Sequence, residues 1–461
     1  MRGSNNKIWN TMAVITMLSV GVLNGCCGSA VSNVENFDMQ PMFTDSILNE
    51  DLLSSNNLND ATLSDVRDYQ TGVVKENGLN TGTENAATGE YDMGEKTQAL
   101  AAENAPEAAP EVTLIMVGDV LLHTPVAKSG VQRNGSYDFT ALFENVKDEI
   151  AAADLALVNQ EVIIGGAALG VTGYPSFNAP YELGDALVEA GFDVVLHATN
   201  HTLDKGKKGV TNCLSFWAEQ YPQITVLGIN ESQEAQDHNI FVYEQEGIRI
   251  AVLNYTYGTN GIPMPSGMPY AVNLLEEKKV AADIAKAKTM SDFIIVCPHW
   301  GTEYQLTPSA EQARWTQFFL EKGVDLVIGT HPHVIEPVEW VQDDNGNEML
   351  VYYSLGNFVN WTSSSGKGIA NRMVGGMAEV TIARAPDGDV AVKSYGVEPV
   401  VCHLSQGANG VTTYFLSEYT EELASQNAIL GQDAAFSKEY CINLCEQVWG
   451  ACGQELQEIR E

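Results

Sequence analysis

Short polar motifs rich in histidine follow four apolar runs in this chain, and they restrict its possible folds most strongly. The motifs are Gly-Asp-Val-Leu-Leu-His at 118–123, Thr-Asn-His-Thr-Leu-Asp at 199–204, Pro-His-Trp-Gly at 298–301 and Gly-Thr-His-Pro-His at 329–333. Imidazole and carboxylate groups are the usual protein ligands of divalent transition metals. Because open α/β sheets bind their ligands beyond the carboxyl ends of the strands, the shared position of these motifs predicts one composite metal site.

Apolar runs of strand length alternate with segments of helix length from residue 112 onward, which is typical of an α/β fold. Strands are predicted at 112–117, 155–158 and 194–197, and helices at 139–153, 181–190 and 206–220. A β-hairpin is predicted at 239–255, helix–strand units at 273–298 and 310–329, hairpins at 338–353 and 377–397, and a helical segment at 411–461. Mixed sheets of this kind favour two sheets packed face to face, with helices outside.

The first 27 residues are predicted to be a lipoprotein signal peptide. After a basic start, the apolar stretch 12–23 is too short to span a bilayer comfortably as a helix. Leu-Asn-Gly-Cys at 23–26 resembles a bacterial lipobox, in which Cys26 would carry the lipid. An ordinary signal peptide, cut near 28–30, is the alternative. Export is expected in both cases, and lipidation would place the protein outside the cytoplasm, anchored to the cell membrane.

Residues 28–110 are predicted to be a disordered acidic linker. The segment is dominated by small, polar and acidic residues, so it cannot bury enough apolar surface to offset the entropy lost on ordering. Such a linker would hold the folded domain away from the membrane. The alternative is a segment that binds a partner.

The charge of the chain excludes one large class of partners. Lys and Arg total 24 against 60 for Asp and Glu, which gives a formal net charge of −36. Nucleic acid is not expected as a partner, because binding to the phosphate backbone requires a basic patch. A polyanionic substrate would be repelled by the average surface, so it needs a local positive charge, which a bound metal can supply.

A site for two metal ions needs several nitrogen and oxygen ligands and a carboxylate that bridges the ions. The candidates in this sequence are Asp119, His123, Glu161, Asn200, His201, His299, His331 and His333. We expect one or two divalent ions, of manganese, iron or zinc. For His123, a gating or hydrogen-bonding role agrees with the sequence as well as metal ligation does.

Seven motifs occur in a fixed order between residues 112 and 400. They are Val-Gly-Asp-Val-Leu-Leu-His at 117–123, Val-Asn-Gln-Glu-Val at 158–162, Ala-Thr-Asn-His-Thr-Leu-Asp-Lys-Gly at 198–206, Tyr-Thr-Tyr-Gly-Thr-Asn-Gly at 255–261, His-Trp-Gly-Thr-Glu-Tyr at 299–304, Gly-Thr-His-Pro-His-Val at 329–334 and Tyr-Ser-Leu-Gly-Asn-Phe-Val at 353–359. Together they resemble the CapA family of bacterial capsule and poly-γ-glutamate biosynthesis proteins, which have a calcineurin-like metallophosphatase fold. The resemblance implies a four-layer α/β/β/α sandwich, which we expect over residues 111–403. From the sequence itself we expect a helical C-terminal appendage at 404–461.

The resemblance also implies roles for individual residues, by analogy with metallophosphatases. The implied metal ligands are Asp119, Glu161, Asn200, His299, His331 and His333. His201 would act as the general acid, and Asp204 would orient it. Glu303 is expected to support His299. The residues expected to line the site are His123, Asn159, Glu303, Ser354 and Asn357.

The chain departs from the family pattern in two motifs. Thr-Asn-His at 199–201 stands where Asn-Asn-His is usual, and Asn-Gln-Glu at 159–161 stands where Asn-Leu-Glu is usual. Asp119 and His123 are four residues apart, unlike the Asp-x-His of ordinary metallophosphatases, and Glu161 would have to replace the usual bridging aspartate. A site with one metal, or one that binds without hydrolysing, is therefore the alternative.

The expected function is that of an exported, membrane-anchored, metal-dependent hydrolase or transferase. Through the resemblance, its substrate would be an anionic capsule polymer such as poly-γ-glutamate, or a precursor, during synthesis, export or release. The reacting centre would be a phosphoryl group or a γ-glutamyl amide. The alternative is a non-catalytic accessory subunit that binds nascent polymer or a membrane synthase.

Overall fold

The computed structural model describes residues 109–405 and 410–450, together with the backbone of a short strand at 457–458. The predicted signal peptide with Cys26, and all but the last two residues of the predicted linker, lie outside the described residues. Among the helices in the described ranges, none has the length and apolar character needed to cross a lipid bilayer.

The described ranges contain strands of very different length, the longest of which is in the C-terminal hairpin. In chain order they are β1 (Glu111–Val120), β2 (Leu155–Asn159), β3 (Val194–Leu196), β4 (Thr225–Leu227), β5 (Phe241–Gln245), β6 (Ile248–Thr256), β7 (Phe293–His299), β8 (Leu326–Ile328), β9 (Val338–Gln342), β10 (Glu348–Tyr352), β11 (Asn357–Val359), β12 (Val374–Arg384), β13 (Val390–Leu404), β14 (Val411–Phe415) and β15 (Gln457–Glu458).

The strands form two mixed sheets. The first has the order β14-β13-β12-β1-β2-β3-β4, with β11 paired to β1 and β15 to β13. In it, β1 to β4 are parallel, and the β12, β13 and β14 strands are antiparallel. The second has the order β5-β6-β7-β8-β10-β9, with β6, β7, β8 and β10 parallel between two antiparallel edge strands. Parallel strands aligned in this way bring their carboxyl ends to one edge of each sheet.

Helices connect the parallel strands. The α-helices are α1 (Thr124–Ser129), α2 (Lys147–Ala152), α3 (Glu182–Ala190), α4 (Gly206–Gln220), α5 (Gln233–Asp237), α6 (Glu277–Ala287), α7 (Ala310–Glu321), α8 (Glu421–Gln426) and α9 (Lys438–Trp449). Short 3-10 turns lie at Thr140–Leu142, Ala167–Leu169, Ile369–Met373 and Ala428–Gly431. The predicted helix at 139–153 is thus divided into a 3-10 turn and α2.

Alternate residues of the second sheet pack into two different cores, which shows how the layers are stacked. On β6 and β7, Ile250, Val252 and Ile295 belong to the core that also holds the first sheet and its helices α3 and α4. Leu253 and Val296 belong to a second core, against α6 and α7. Because side chains alternate between the faces of a strand, the two sheets lie face to face with helices outside. The predicted four-layer α/β/β/α sandwich is confirmed.

The C-terminal part contains the predicted helices, but it begins differently from the prediction. Residues 411–415 were expected to be helical, whereas they form β14, which pairs antiparallel with β13. Val411, Thr413 and Phe415 are buried while Thr412 and Tyr414 are only partly so, which is the period of a half-buried strand. The helices α8 and α9 follow this strand. Trp449, on α9, donates from its indole nitrogen to the main-chain oxygen of Glu336, so this segment packs against the sandwich.

The strand register aligns polar residues at the carboxyl edge of the first sheet. Asp119 of β1 stands opposite Asn159 of β2 on one side and Asn357 of β11 on the other. Gly118 makes this close approach possible, because a Cβ atom there would lie 2.0 Å from the main-chain oxygen of Gly356. The neighbouring amide of Asp119 donates to the same oxygen at 2.9 Å. The Gly-Asp pair therefore fixes the aspartate at the sheet edge.

Candidate metal centre

Residues at or shortly after the ends of five strands meet at one edge of the two sheets and form a buried cluster. They are Asp119 on β1, Asn159 and Glu161 at the end of β2, Asn200 and His201 after β3, His299 on β7, and His331 and His333 after β8. None of these side chains belongs to a residue more than 7% exposed. The structure thus brings together all six residues that the sequence analysis named as metal ligands.

Asp119 is held from three directions. Asn159 donates from Nδ2 to Oδ1 of Asp119 at 2.8 Å. The Nδ1 atom of His333 lies 3.1 Å from Oδ2 of Asp119, and the main-chain nitrogen of His331 donates to the same oxygen at 3.4 Å. These contacts fix the orientation of the buried carboxylate before any ligand arrives.

Glu161 has a different environment, with nitrogen atoms around it but no hydrogen bond. It is fully buried, and neither carboxylate oxygen has a hydrogen-bond partner among the described residues. Its Oε1 atom lies 3.6 Å from Nε2 of His333 and 3.9 Å from Nε2 of both His201 and His299. Burial raises the pKa of Glu161 well above its usual range; His333 opposes this shift and Asp119 adds to it. A buried carboxylate of this kind is costly unless a cation neutralises it.

Two groups of possible ligand atoms share Glu161. One consists of Asp119, Glu161 and His333, and the other of Glu161, His299 and His331. Within each group the ligand atoms lie within 4.8 Å of one another. The donors are nitrogen and oxygen only, which suits manganese, iron or zinc. The unpartnered oxygens of Glu161 and the unpartnered Nδ1 of His331 fit divalent ions with Glu161 as the shared ligand.

His299 connects the two sheets at this edge. Its Nδ1 atom lies 3.1 Å from the hydroxyl of Thr330 and 3.4 Å from Nδ2 of Asn159. Its Nε2 atom lies 3.0 Å from Oδ1 of Asn200, so the amide oxygen named as a ligand borders the second group. Asn200 in turn donates to Asn260 at 3.3 Å.

The loop after β8 bends sharply so that both of its histidines enter the cluster. His331 has a φ of 102° and His333 a φ of 58°, a region that non-glycine residues seldom occupy. Asn357 holds this loop, because its Nδ2 donates to the main-chain oxygen of His333 at 2.9 Å and its Oδ1 lies 3.1 Å from Nδ1 of His333. Backbone strain of this kind is characteristic of functional sites, where the surrounding structure maintains it.

The imidazoles differ in protonation because their surroundings differ. Burial, with a further contribution from neighbouring histidines, lowers the pKa of both His299 and His331 well below 6.5, which keeps them in the neutral form that binds metals. Burial also acts to lower the pKa of His333, but the carboxylates of Glu161 and Asp119 outweigh it and raise that pKa to about 10. A metal ion at this position would therefore displace a proton from His333.

His201 lies beside the two groups and is paired with Asp204. The Nδ1 atom of His201 is 2.8 Å from Oδ2 of Asp204, which also accepts from the amide of Phe177 at 2.7 Å. The ring of Phe177 packs edge-on against His201, with 4.6 Å between centroids. This arrangement directs Nε2 of His201 towards Glu161 and leaves it available for proton transfer.

The remaining residues expected in the site have more varied positions. His123 belongs to neither ligand group; it precedes α1 and packs against the rings of Phe177 and Trp361. Ser354 does not contact the ligand groups: its hydroxyl donates to Val334 and accepts from Gly356, so it stabilises the loop that carries the histidines. Asn159 and Asn357 contact Asp119 and His333, as described above.

The expected support of His299 by Glu303 is not observed. Glu303 is exposed, and both ring nitrogens of His299 are directed at Thr330, Asn159 and Asn200 instead. The carboxylate of Glu303 acts at longer range, as one of the charges that raise the pKa of His333. The physical reason is that β7 ends at His299, so the chain turns outward before Glu303.

Aromatic residues at the solvent side of the cluster were not assigned by sequence reasoning. Tyr257 is 44% exposed and its ring centroid lies 4.7 Å from that of His331. Tyr304 is 46% exposed and lies 6.0 Å from His333. Both occur within the seven motifs, next to polar residues, which is the signal that would have identified them as part of the site.

Comparison with known proteins gives a family for this arrangement. A profile of the bacterial capsule synthesis protein family PGA_cap matches residues 113–362. The chain is 31% identical over 180 residues to the PGA biosynthesis protein CapA of Bacillus subtilis (strain 168), a match covering 38% of this chain and 45% of that protein. It is 30% identical over 267 residues to the capsule biosynthesis protein CapA of Bacillus anthracis, covering 55% and 61% respectively. The matches thus span about half the length of these curated relatives.

Solved structures with a related fold have low sequence identity. The NAD nucleotidase NadN of Haemophilus influenzae is 12% identical with a TM-score of 0.40, covering 66% of this chain and 54% of that chain. A putative 5'-nucleotidase of Staphylococcus aureus is 15% identical with a TM-score of 0.41, covering 62% and 54%.

The profile match covers more than half of the present sequence and includes every residue of the cluster. The chain therefore belongs to the PGA_cap family of bacterial capsule synthesis proteins.

Proposed function

We propose that this protein is a metal-dependent hydrolase or transferase that acts on an anionic capsule polymer such as poly-γ-glutamate, or on its precursor. The observation that carries the proposal is Glu161, a fully buried carboxylate whose two oxygens lack hydrogen bonds among the described residues and which both ligand groups share. The names of the relatives, which concern capsule and PGA biosynthesis, support the substrate class.

The residues that would hold one or two divalent ions are Asp119, Glu161, Asn200, His299, His331 and His333. When bound, such ions would polarise a phosphoryl or carbonyl oxygen and make water more acidic. Manganese, iron and zinc all suit this set of ligands. The positive charge would also attract an anionic substrate to a chain whose net charge is strongly negative.

The proton-transfer role falls to His201. When the ring of His201 is doubly protonated, its Nδ1 donates to Asp204 and its Nε2, which faces the cluster, can donate a proton to a leaving group. The contact with Phe177 restricts rotation of the ring. Asp204 is therefore a positioning residue, which keeps His201 in the correct tautomer and orientation.

The proposal includes a location and partners. Lipidation at Cys26 would anchor the protein to the outer side of the cell membrane, where capsule polymer is assembled or released. A complex with a membrane synthase would then deliver the nascent polymer to the metal centre. These features rest on the sequence of residues 1–27 and on the names of the relatives.

Metal content is the first test of this function. The purified full chain should contain close to two ions of manganese, iron or zinc by elemental analysis. The double variant His331→Ala, His333→Ala should lose them, while His238→Ala, at an exposed histidine outside the cluster, should not. Unchanged metal content in the double variant would show that the ligand assignment is wrong.

Catalysis is tested separately, on p-nitrophenyl phosphate and γ-glutamyl-p-nitroanilide. His201→Asn should retain the metal and lower kcat by about 10²- to 10⁴-fold on whichever compound is hydrolysed. If neither compound is hydrolysed, polymer output in cells decides between the two functions. Full output with His201→Asn would favour the accessory subunit, and lost output with that variant would favour the enzyme.

A further inference from the structure

Arg372 lies at the edge of the metal centre, although no motif pointed to it. It belongs to the 3-10 turn Ile369–Met373, and its main-chain oxygen accepts from Nδ2 of Asn357 at 3.0 Å. Asn357 is the residue that holds His333. The backbone of Arg372 is therefore fastened to the same group that orients one of the candidate metal ligands.

The side chain of Arg372 is stacked on Tyr304. Its guanidinium carbon lies 3.5 Å from the centre of the Tyr304 ring, a close cation–π contact. Tyr304 has a φ of 66°, and its amide donates at 2.8 Å to Pro332, which lies between His331 and His333. Both members of the stacked pair are thus attached to the histidine loop, and the guanidinium needs little further ordering to bind a ligand.

Arg372 also differs from three other arginines because it forms no ion pair among the described residues. Its guanidinium donates to the hydroxyl of Thr362 at 3.0 Å and forms no ion pair within the described part of the chain. Arg249, Arg314 and Arg384 each pair with a carboxylate. A guanidinium has five N–H donors in a planar fork that matches carboxylate and phosphate groups. Most of these donors remain available here, on a chain with 60 acidic and 24 basic residues.

Arg372 lies close to the histidines. The ring of Tyr304, on which its guanidinium stacks, lies 6.0 Å from the ring of His333. Lys205, the other nearby cation, already donates to the main chain and the hydroxyl of Ser176. The guanidinium is therefore the cation in the described structure best placed to meet an anionic ligand at this site.

We propose that Arg372, held flat against Tyr304, binds an anionic group of the substrate, a carboxylate or a phosphate, and orients it towards the metal centre. The inference rests on the proposed function for its substrate class. Exposed Tyr257 and Tyr304 flank the ligand histidines, so the non-polar part of a chain molecule would pack between or upon their rings.

The test is calorimetric titration of the full chain with two probes, inorganic phosphate and a γ-linked glutamate trimer. Arg372→Met should weaken binding of at least one probe by about 10- to 100-fold. Arg372→Lys keeps the charge but not the planar fork, so its loss should be smaller. Tyr304→Leu should also weaken the same probe, because the guanidinium loses its support.

Arg314→Met is the matched control, since it removes one positive charge from a surface ion-pair group on α7. It should bind both probes like the wild type. Weakening of phosphate alone would indicate a phosphate-bearing substrate, and weakening of the trimer alone would indicate the carboxylates of a polymer. Either result supports the role of Arg372, provided that the melting temperature and metal content are unchanged.

Two outcomes would overturn the inference: wild-type affinity of Arg372→Met for both probes, or no binding of either probe to the wild type. Metal analysis separates these from failure of the proposed function. If the wild type holds metal and Arg372→Met binds normally, the metal centre stands and the role of Arg372 is refuted. If the wild type holds no metal but Arg372→Met loses affinity, the anion site stands and the metal function is refuted.

Discussion

Replacing Glu161 by Gln should weaken metal binding, but it should leave the melting temperature of the metal-free protein unchanged or raise it. The substitution keeps the shape of the side chain but removes the charge that both ligand groups share. Loss of an outer partner of a metal ligand costs about 10- to 100-fold in affinity, and loss of a shared ligand should exceed that. Ion content should therefore fall from two per chain to one or none.

The stability change follows from mass action. At a metal concentration 100-fold above Kd, one bound ion stabilises the fold by about 2.7 kcal/mol. Unfolding entropy is about 2.1 cal/mol/K per residue, so in the roughly 340 described residues 1 kcal/mol shifts Tm by about 1.4 °C. Two ions, worth about 5.4 kcal/mol together, should therefore raise the Tm of the wild type by about 8 °C with manganese. Glu161→Gln should gain less than half of this. Without metal, the variant should melt at the same temperature as the wild type or higher, because an amide carries no charge to desolvate.

Glu336→Gln provides the matched control for this comparison. Glu336 is also fully buried and also has an unpartnered carboxylate oxygen, but it lies outside both ligand groups. Scanning calorimetry of the three proteins, each with and without manganese, gives the result directly. An equal manganese-induced shift in Glu161→Gln and the wild type would refute the assignment of Glu161 as the shared ligand.

Two further predictions concern the framework of the site. Gly118→Ala should destabilise the fold by roughly 2–4 kcal/mol, since its Cβ would meet the main-chain oxygen of Gly356 at 2.0 Å. Gly431→Ala is the control: a Cβ there has no neighbour within 4 Å, so the free energy of unfolding measured in urea should change by less than about 0.5 kcal/mol. Burial raises the pKa of Glu336 from 4.5 to about 7, so its stabilising contribution is complete below pH 4.5 and is lost as the pH rises through 7. Glu336→Gln should remove about 3 kcal/mol of this pH dependence, and equal pH profiles of unfolding for variant and wild type would contradict the reasoning.

The sequence was sufficient to predict the cluster of candidate ligands because each of them lies at the end of an apolar strand or a few residues beyond it. Asn159 and His299 end their strands and Asp119 is the last residue but one of β1, so the local pattern predicted their position. Parallel strands place their carboxyl ends together, and that rule brought residues from both halves of the chain to one edge. The family resemblance then supplied the roles that the pattern alone left open.

Other features depend on contacts between residues distant in sequence, which a local sequence pattern does not predict. The stacking of Arg372 on Tyr304 joins residues that are 68 positions apart in the chain. The helical prediction for residues 411–415 failed because pairing with β13 outweighs local preference in so short a segment. The expected support of His299 by Glu303 failed because the chain turns outward after β7.

The contrast between Glu161 and Glu336 shows which observation favours a metal centre at Glu161. Both carboxyl groups are fully buried and have unpartnered oxygens, so burial without hydrogen bonds does not by itself indicate a cation site. The side chain of Glu336 accepts from Gln312, and no imidazole nitrogen of the described residues lies within 4.0 Å of its carboxylate, so protonation alone can neutralise it. Glu161 faces three imidazole nitrogens at 3.6–3.9 Å and the negative charge of Asp119 nearby. Several imidazole nitrogens around a shared carboxylate are what divalent cations require, and this arrangement distinguishes the two sites.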